Sequence, residues 1–94
     1  MTEKPKVQGT FIVLNDKGLH TRPSTEIVKC AMHFNSQVVL SYKDQQVNAK
    51  SLLGILMLAA GRGAKIKIEA EGIDAEIAVR ALVKLAADKF YIKY

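Results

Sequence analysis

Tryptophan is absent from this chain, and cysteine occurs once, as Cys30. A lone thiol excludes an internal disulfide and a CxxC metal site, fits a reducing compartment, and reads as a small buried side chain. No apolar run approaches the ~18 residues of a membrane span, and the opening MTEKPKVQ lacks the apolar core of a signal peptide. A soluble, cytoplasmic protein without membrane insertion is therefore expected. Low-complexity segments, internal repeats and an interdomain linker are also missing. What remains is 94 residues with 49% hydrophobic content, enough for a single core. Residues 1–94 read as one domain with a polar N-terminal tail at 1–6. Fourteen Lys/Arg against nine Asp/Glu give a net charge of +5, which points to an acidic partner: a protein, a phosphorylated group or nucleic acid. The nucleic-acid option is the weakest. Such sheets present aromatic residues flanked by basic ones, whereas the strands here offer mainly Phe11 and Tyr42 without that pattern.

Hydropathy alternates and then runs apolar over residues 7–14, and NDKG ends that strand. Ile27, Val28, Ala31 and Met32 recur at helical spacing. VVLSY at 38–42 and QVNA at 46–49 form a hairpin around KDQ. The apolar segment 52–60 predicts a helix with Ser51 as N-cap and Gly61 as its stop. AKIKIEAEG is the clearest strand, with Ile66 and Ile68 on one face and Lys65, Lys67 and Glu69 on the other. From Asp74 to Phe90 an amphipathic helix is predicted, with acidic residues in its first turn and Lys89 in its last. The order β-α-β-β-α-β-α is satisfied by an α+β fold, a four-stranded antiparallel sheet with three helices packed on one face.

Chemistry concentrates in GLHTRPS, residues 18–24. Pro23 lacks an N–H and tolerates only the first turn of a helix, so that helix begins close to His20. His20 then stands at or beside the N-cap, where unpaired backbone N–H groups and the positive end of the helix dipole attract an anion. A neutral imidazole, available at cellular pH, accepts a phosphoryl group directly, and phosphoryl transfer asks mainly for positioning and charge stabilisation. Arg22 supplies a planar guanidinium suited to phosphate, and Gly18 permits a tight turn. On the residues alone, a surface His with a solvated Arg is the slightly favoured reading, since such pairs recur by chance.

GLHTRPS resembles the active-site signature of the HPr family, the histidine-containing phosphocarriers of the phosphoenolpyruvate-dependent sugar phosphotransferase system. AKSLLGILMLAA, residues 49–60, is similar to that family's regulatory-serine segment, a Lys-Ser pair followed by two apolar residues. The resemblance spans nearly all of residues 7–90 and implies an open-faced β-sandwich. It implies that His20 carries the phosphoryl group on Nδ1, with Arg22 as its charge partner. It also makes Ser51 the counterpart of a serine modified by a bifunctional kinase/phosphorylase in some bacteria. Thr21 and Ser24 stand where the family often has alanine, and the tail YIKY departs from the family. The implied protein is a monomeric phosphocarrier rather than an independent enzyme. It accepts from Enzyme I, donates to a histidine of Enzyme IIA during sugar uptake, and needs no metal or organic cofactor of its own.

The segment after Ser51 carries more apolar residues than one stripe on a sheet needs. Leu52, Leu53 and Leu56 are candidates for an apolar docking patch, with Lys29, Arg22 and Lys50 as a basic rim. Core packing or a homo-oligomer contact competes with that role, most strongly for Leu56. A second functional class also stands: a regulatory interaction protein on the same fold, gated by phosphorylation of Ser51 or by the state of His20, without sugar transport.

Overall fold

Side chains alternate across a strand and recur every three or four residues along a helix, and those two periods divide this chain into its elements. The computed structural model describes residues 5–92. Residues 1–4 of the expected tail and residues 93–94 of YIKY lie outside the described residues. Strands β1 (Lys6–Ile12), β2 (Gln37–Tyr42), β3 (Gln45–Asn48) and β4 (Lys65–Glu71) form one antiparallel sheet in the order β1-β4-β2-β3. Helices α1 (Thr21–Ala31), α2 (Leu52–Met57) and α3 (Ala75–Ala87) cover one face of it. The expected α+β architecture and element order are thus present. Lys6, assigned to the tail from sequence, already pairs with Glu71 in the sheet.

Register fixes which face is buried. Gly9 and Leu40 flank Ile68, Val7 and Val38 flank Ala70, and Phe11 lies opposite Ile66. Leu40, Ile66, Ile68 and Ala70 are fully buried there beneath Ile27 of α1, Ile55 of α2 and Leu82 of α3. A fully buried side chain of this size contributes roughly 1.5–3 kcal/mol, so this shared face dominates the stability. Helix α3 approaches β1 closely at Gly9, where a Cβ would stand 2.6 Å from Cγ1 of Val79. The other face of β4 presents Lys65, Lys67, Glu69 and Glu71. Glu69 accepts a bond from Gln8 at 2.9 Å and pairs with Lys6 at 3.6 Å, exposed interactions worth about 0–1 kcal/mol.

Two helices end earlier than their hydropathy predicts. The helix expected over 52–60 stops at Met57, because Ala59 adopts φ 52° and a left-handed residue ends the right-handed hydrogen-bond ladder. Gly61 is therefore not its stop. The turn at Ala59 buries Leu58 and Ala60 and leaves the Ala60 carbonyl to accept from the Leu19 amide at 2.9 Å.

The helix expected over 74–90 stops at Ala87, with Lys84 in its last turn. Lys89, Phe90 and Tyr91 follow with φ of 55°, 57° and 61°, a single left-handed turn closed by Tyr91 N–H to Asp88 O and Ile92 N–H to Lys89 O, both 3.0 Å. Left-handed backbone costs an L-residue about 1–2 kcal/mol. Tertiary contact offsets it: Phe90 is fully buried, edge-on to Phe11 at 5.9 Å between ring centroids.

Asp74 precedes α3 without capping it through its side chain. Its carboxylate instead reaches the start of β2, accepting from the Asn35 and Ser36 amides at 2.8 and 2.9 Å and from the Ser36 hydroxyl. Those donors, the Ser36 hydroxyl foremost, hold the Asp74 carboxyl below its ordinary value.

Candidate functional site

The segment between β1 and α1 is fastened at both ends by backbone bonds. Val13 N–H donates to Ala64 O at 2.9 Å and Gly63 N–H to Val13 O at 2.8 Å, extending the β1–β4 pairing past the strand. Residues 15–18 then form a turn closed by Gly18 N–H to Asn15 O at 3.0 Å. Gly18 has φ 69°, and a Cβ there would collide with the Ala60 carbonyl and stand 2.7 Å from Cα of Gly61. Only glycine meets both demands. The approach lets Leu19 N–H reach Ala60 O, and Leu19 itself is buried. The next residue is His20.

His20 is the N-cap of α1, with extended backbone at φ −76°, ψ −170°. Pro23 is the third helical residue, inside the first turn as its missing N–H requires. The first helical bond runs from Ser24 N–H to His20 O at 3.1 Å. The N–H groups of Thr21 and Arg22 therefore face out of the helix end on which the imidazole is mounted. The ring is half-buried, and its Nε2 atom is shielded from solvent. As N-cap, His20 stands at the helix end where positive potential is highest. Arg22 is exposed at the second helical position.

This arrangement can receive a multiply charged oxyanion group: one nitrogen to bond it, backbone donors and a guanidinium to meet its oxygens, and a helix dipole of matching sign.

Three further groups fix this corner. Ser24 is fully buried and donates its hydroxyl to Leu19 O at 3.0 Å, fastening the helix to the residue before the histidine. Asn15 is also fully buried and donates from Nδ2 to Lys89 O at 3.1 Å, and Phe90 holds that left-handed turn in place. A hydroxyl four residues past an N-cap is a signal legible in one dimension. A bond spanning 74 residues, as between Asn15 and Lys89, is not.

Ser51 caps α2 as expected: its Oγ accepts from Gly54 N–H at 3.1 Å. Of the candidate docking residues, Leu53 is 69% exposed, Leu52 is 37% exposed and Leu56 is half-buried. Met57 and Met32, at 66% and 63%, extend the apolar surface beyond the residues named from sequence. Lys29 pairs with Glu26 at 3.5 Å. Lys50 is half-buried and donates Nζ to Phe34 O at 2.8 Å, so it also ties the end of α1 to the start of α2. Cys30 is half-buried, and burial pushes its thiol above the ordinary value, keeping it protonated. His33 bonds Lys29 O through Nδ1 at 2.8 Å on an exposed turn. Among the described residues, no helix is long and apolar enough to cross a membrane.

Known proteins share this fold. Residues 7–88 match the family model described as the PTS HPr component phosphorylation site. The chain is similar to the phosphocarrier protein HPr of Cupriavidus necator, 42% identical over 84 residues, covering 89% of this chain and 94% of that one. The crystal structure of HPr-C-His from Thermoanaerobacter tengcongensis superposes with a TM-score of 0.88 at 39% identity, covering 94% of this chain and 99% of the other. A phosphocarrier protein HPr from Bacillus anthracis does so with a TM-score of 0.80, also at 39% identity, covering 84% and 94%.

Proposed function

The chain belongs to the HPr family of phosphotransferase-system phosphocarriers, and from that premise we propose that His20 accepts a phosphoryl group from Enzyme I and passes it to a histidine of an Enzyme IIA domain. The observation that carries the reading is the seating of His20 as N-cap of a helix whose second residue is Arg22. In the accepting step the Nδ1 lone pair forms the N–P bond while the donor's bond to phosphorus breaks and its electron pair stays with the donor. The transferred group keeps its charge throughout, so the receiving site needs fixed donors more than acid–base chemistry. First-turn amides supply those donors without reorganising, and Arg22 moves with the group as a flexible, always charged clamp. Donation to Enzyme IIA reverses the same bonds, which requires that the adduct be held moderately and left accessible.

Docking is assigned to the exposed part of Leu52, Leu53 and Leu56, with Met32 and Met57 beside them and Lys29, Arg22 and Lys50 around them. Apolar surface at the centre with basic charge at the edge suits an acidic partner face. Ser51 lies at the start of that patch. Phosphorylation there, by a kinase/phosphorylase of the family's type, adds negative charge at a helix N-terminus without unfolding it and repels the same acidic faces.

The test is incubation with Enzyme I, magnesium and phosphoenolpyruvate, followed by intact mass. One acid-labile phosphoryl adduct is expected, absent from His20→Ala. A wild-type chain that stays unmodified while Enzyme I phosphorylates another carrier would overturn the proposal.

A further inference from the structure

We infer that Asn15 is a positioning residue for phosphoryl transfer at His20, acting by clamping the histidine loop to the left-handed turn Lys89–Tyr91. The inference rests on the phosphocarrier reading and adds a residue to it.

The loop from Val13 to His20 has two backbone anchorages, one at Ala64 beside the sheet and one at Ala60 beside α2. Between them its tip is held from the third side by the Asn15 side chain, fully buried and bonded through Nδ2 to Lys89 O at 3.1 Å. The same residue's backbone carbonyl accepts from Gly18 N–H at 3.0 Å. One asparagine therefore shapes the turn that precedes the histidine and locates that turn against the C-terminal segment.

The partner it grips is not ordinary backbone. Three consecutive non-glycine residues, Lys89, Phe90 and Tyr91, have φ between 55° and 61°, a conformation that persists only where surroundings impose it. Phe90 is held by Phe11 from the core side, and Asn15 holds the carbonyl one residue earlier. This turn also walls the charge partner. Phe90, Tyr91 and Ile92 line a cavity of about 270 Å³ together with Arg22, Thr25 and Glu26. Asn15 thus links the loop that ends at His20 to the turn that lines one cavity with Arg22. Loss of its N–H donor lets both relax independently, and misplacement of reacting groups by about 1 Å is enough to cost up to ~100-fold in rate.

The experiment measures steady-state transfer from Enzyme I to Asn15→Ala, with the ¹⁵N imidazole resonances of His20 as a second readout. Ile68→Val, a mild cavity in the remote centre of β4, is the stability control. Expected are a kcat lowered about tenfold or more, a KM for the carrier within about twofold because the α2 surface is untouched, and displaced His20 resonances. The control should keep wild-type kcat and wild-type His20 resonances. If Asn15→Ala does not fold, Asn15→Ser, which retains a polar group in the buried position, carries the same measurement. Wild-type kcat and an unmoved imidazole spectrum in a folded Asn15 variant would overturn the inference, as would a loss that merely follows the unfolded fraction in both variant and control. A wild-type chain that accepts no phosphoryl group defeats the phosphocarrier reading instead, and the imidazole spectra then decide the role of Asn15 alone.

Discussion

Replacing Gly18 by alanine attacks the site through its backbone and leaves every functional side chain in place. The residue sits at φ 69°, and its Cβ would run into the Ala60 carbonyl and approach Cα of Gly61 to 2.7 Å. Left-handed backbone costs alanine about 1–2 kcal/mol. Both clashing groups are backbone and cannot rotate away, so the loop must withdraw from Ala60 and stretch the 2.9 Å bond from Leu19 N–H. Losing that bond adds about 0.5–1.5 kcal/mol. The sum is about 2.5 kcal/mol, which in a domain of this size lowers the melting temperature by roughly 10–20 °C. Urea denaturation monitored by far-UV circular dichroism gives the stability, and a transfer assay at low temperature gives the rate for the folded fraction. Gly18→Ala is expected to be destabilised by that amount and to transfer more slowly even when folded, because His20 is two residues beyond the displaced point. A stability within about 0.5 kcal/mol of wild type, the range of a featureless surface change, together with an unchanged rate, would refute the argument that Ala60 seats the histidine loop.

Ala59→Gly works in the opposite direction: it removes the left-handed cost at φ 52° against a smaller entropic penalty, and a gain of roughly 0.5–1 kcal/mol in urea is expected. A loss of stability would show that Ala59 is held by contacts its methyl makes. Ser51→Ala should cost about 0.5–2 kcal/mol through the lost bond from Gly54 N–H, with transfer to His20 unchanged, whereas Ser51→Asp should keep the fold and slow transfer from Enzyme I. Equal rates for the two variants would remove charge from the regulatory account. Asp74 has a folded pKa below its ordinary 3.8, so its bonds to Asn35 and Ser36 contribute fully above that value. The contribution is lost as pH falls through the lowered folded pKa. The stability difference between wild type and Asp74→Asn should therefore shrink below about pH 3.8, and a difference constant across the acid range would contradict the linkage.

Period and punctuation made much of this protein legible from its residues. Alternation in KIKIE placed β4, Pro23 dated the start of α1 to within one turn, and Ser51 read correctly as a cap. What the sequence did not show are features settled by contacts distant along the chain. Nothing in LLGILMLAA marks a stop at Met57, because alanine is the best helix former and Ala59 turns left-handed only with Leu58 and Ala60 buried on either side. Nothing in LAADKFYI marks the left-handed turn, which exists because Phe90 meets Phe11 from the opposite end of the chain. Asn15 reads as a turn residue in NDKG, and only the fold brings its amide to Lys89. Met32 reads as part of the apolar stripe of α1 and Met57 as one of many apolar residues in α2; their exposure is not legible because it depends on how a helix is rolled on the sheet.

The claim on which the account turns is that the N-terminal mouth of α1 makes one imidazole nitrogen the phosphoryl acceptor. The chain has two histidines, each with two ring nitrogens, and His20 keeps Nε2 shielded. The direct measurement is phosphorus NMR of the adduct formed on ¹⁵N-histidine-labelled protein, read for phosphorus–nitrogen coupling. Coupling to Nδ1 of His20 alone is the predicted result. Phosphoryl on Nε2 of His20, or on His33, would contradict it.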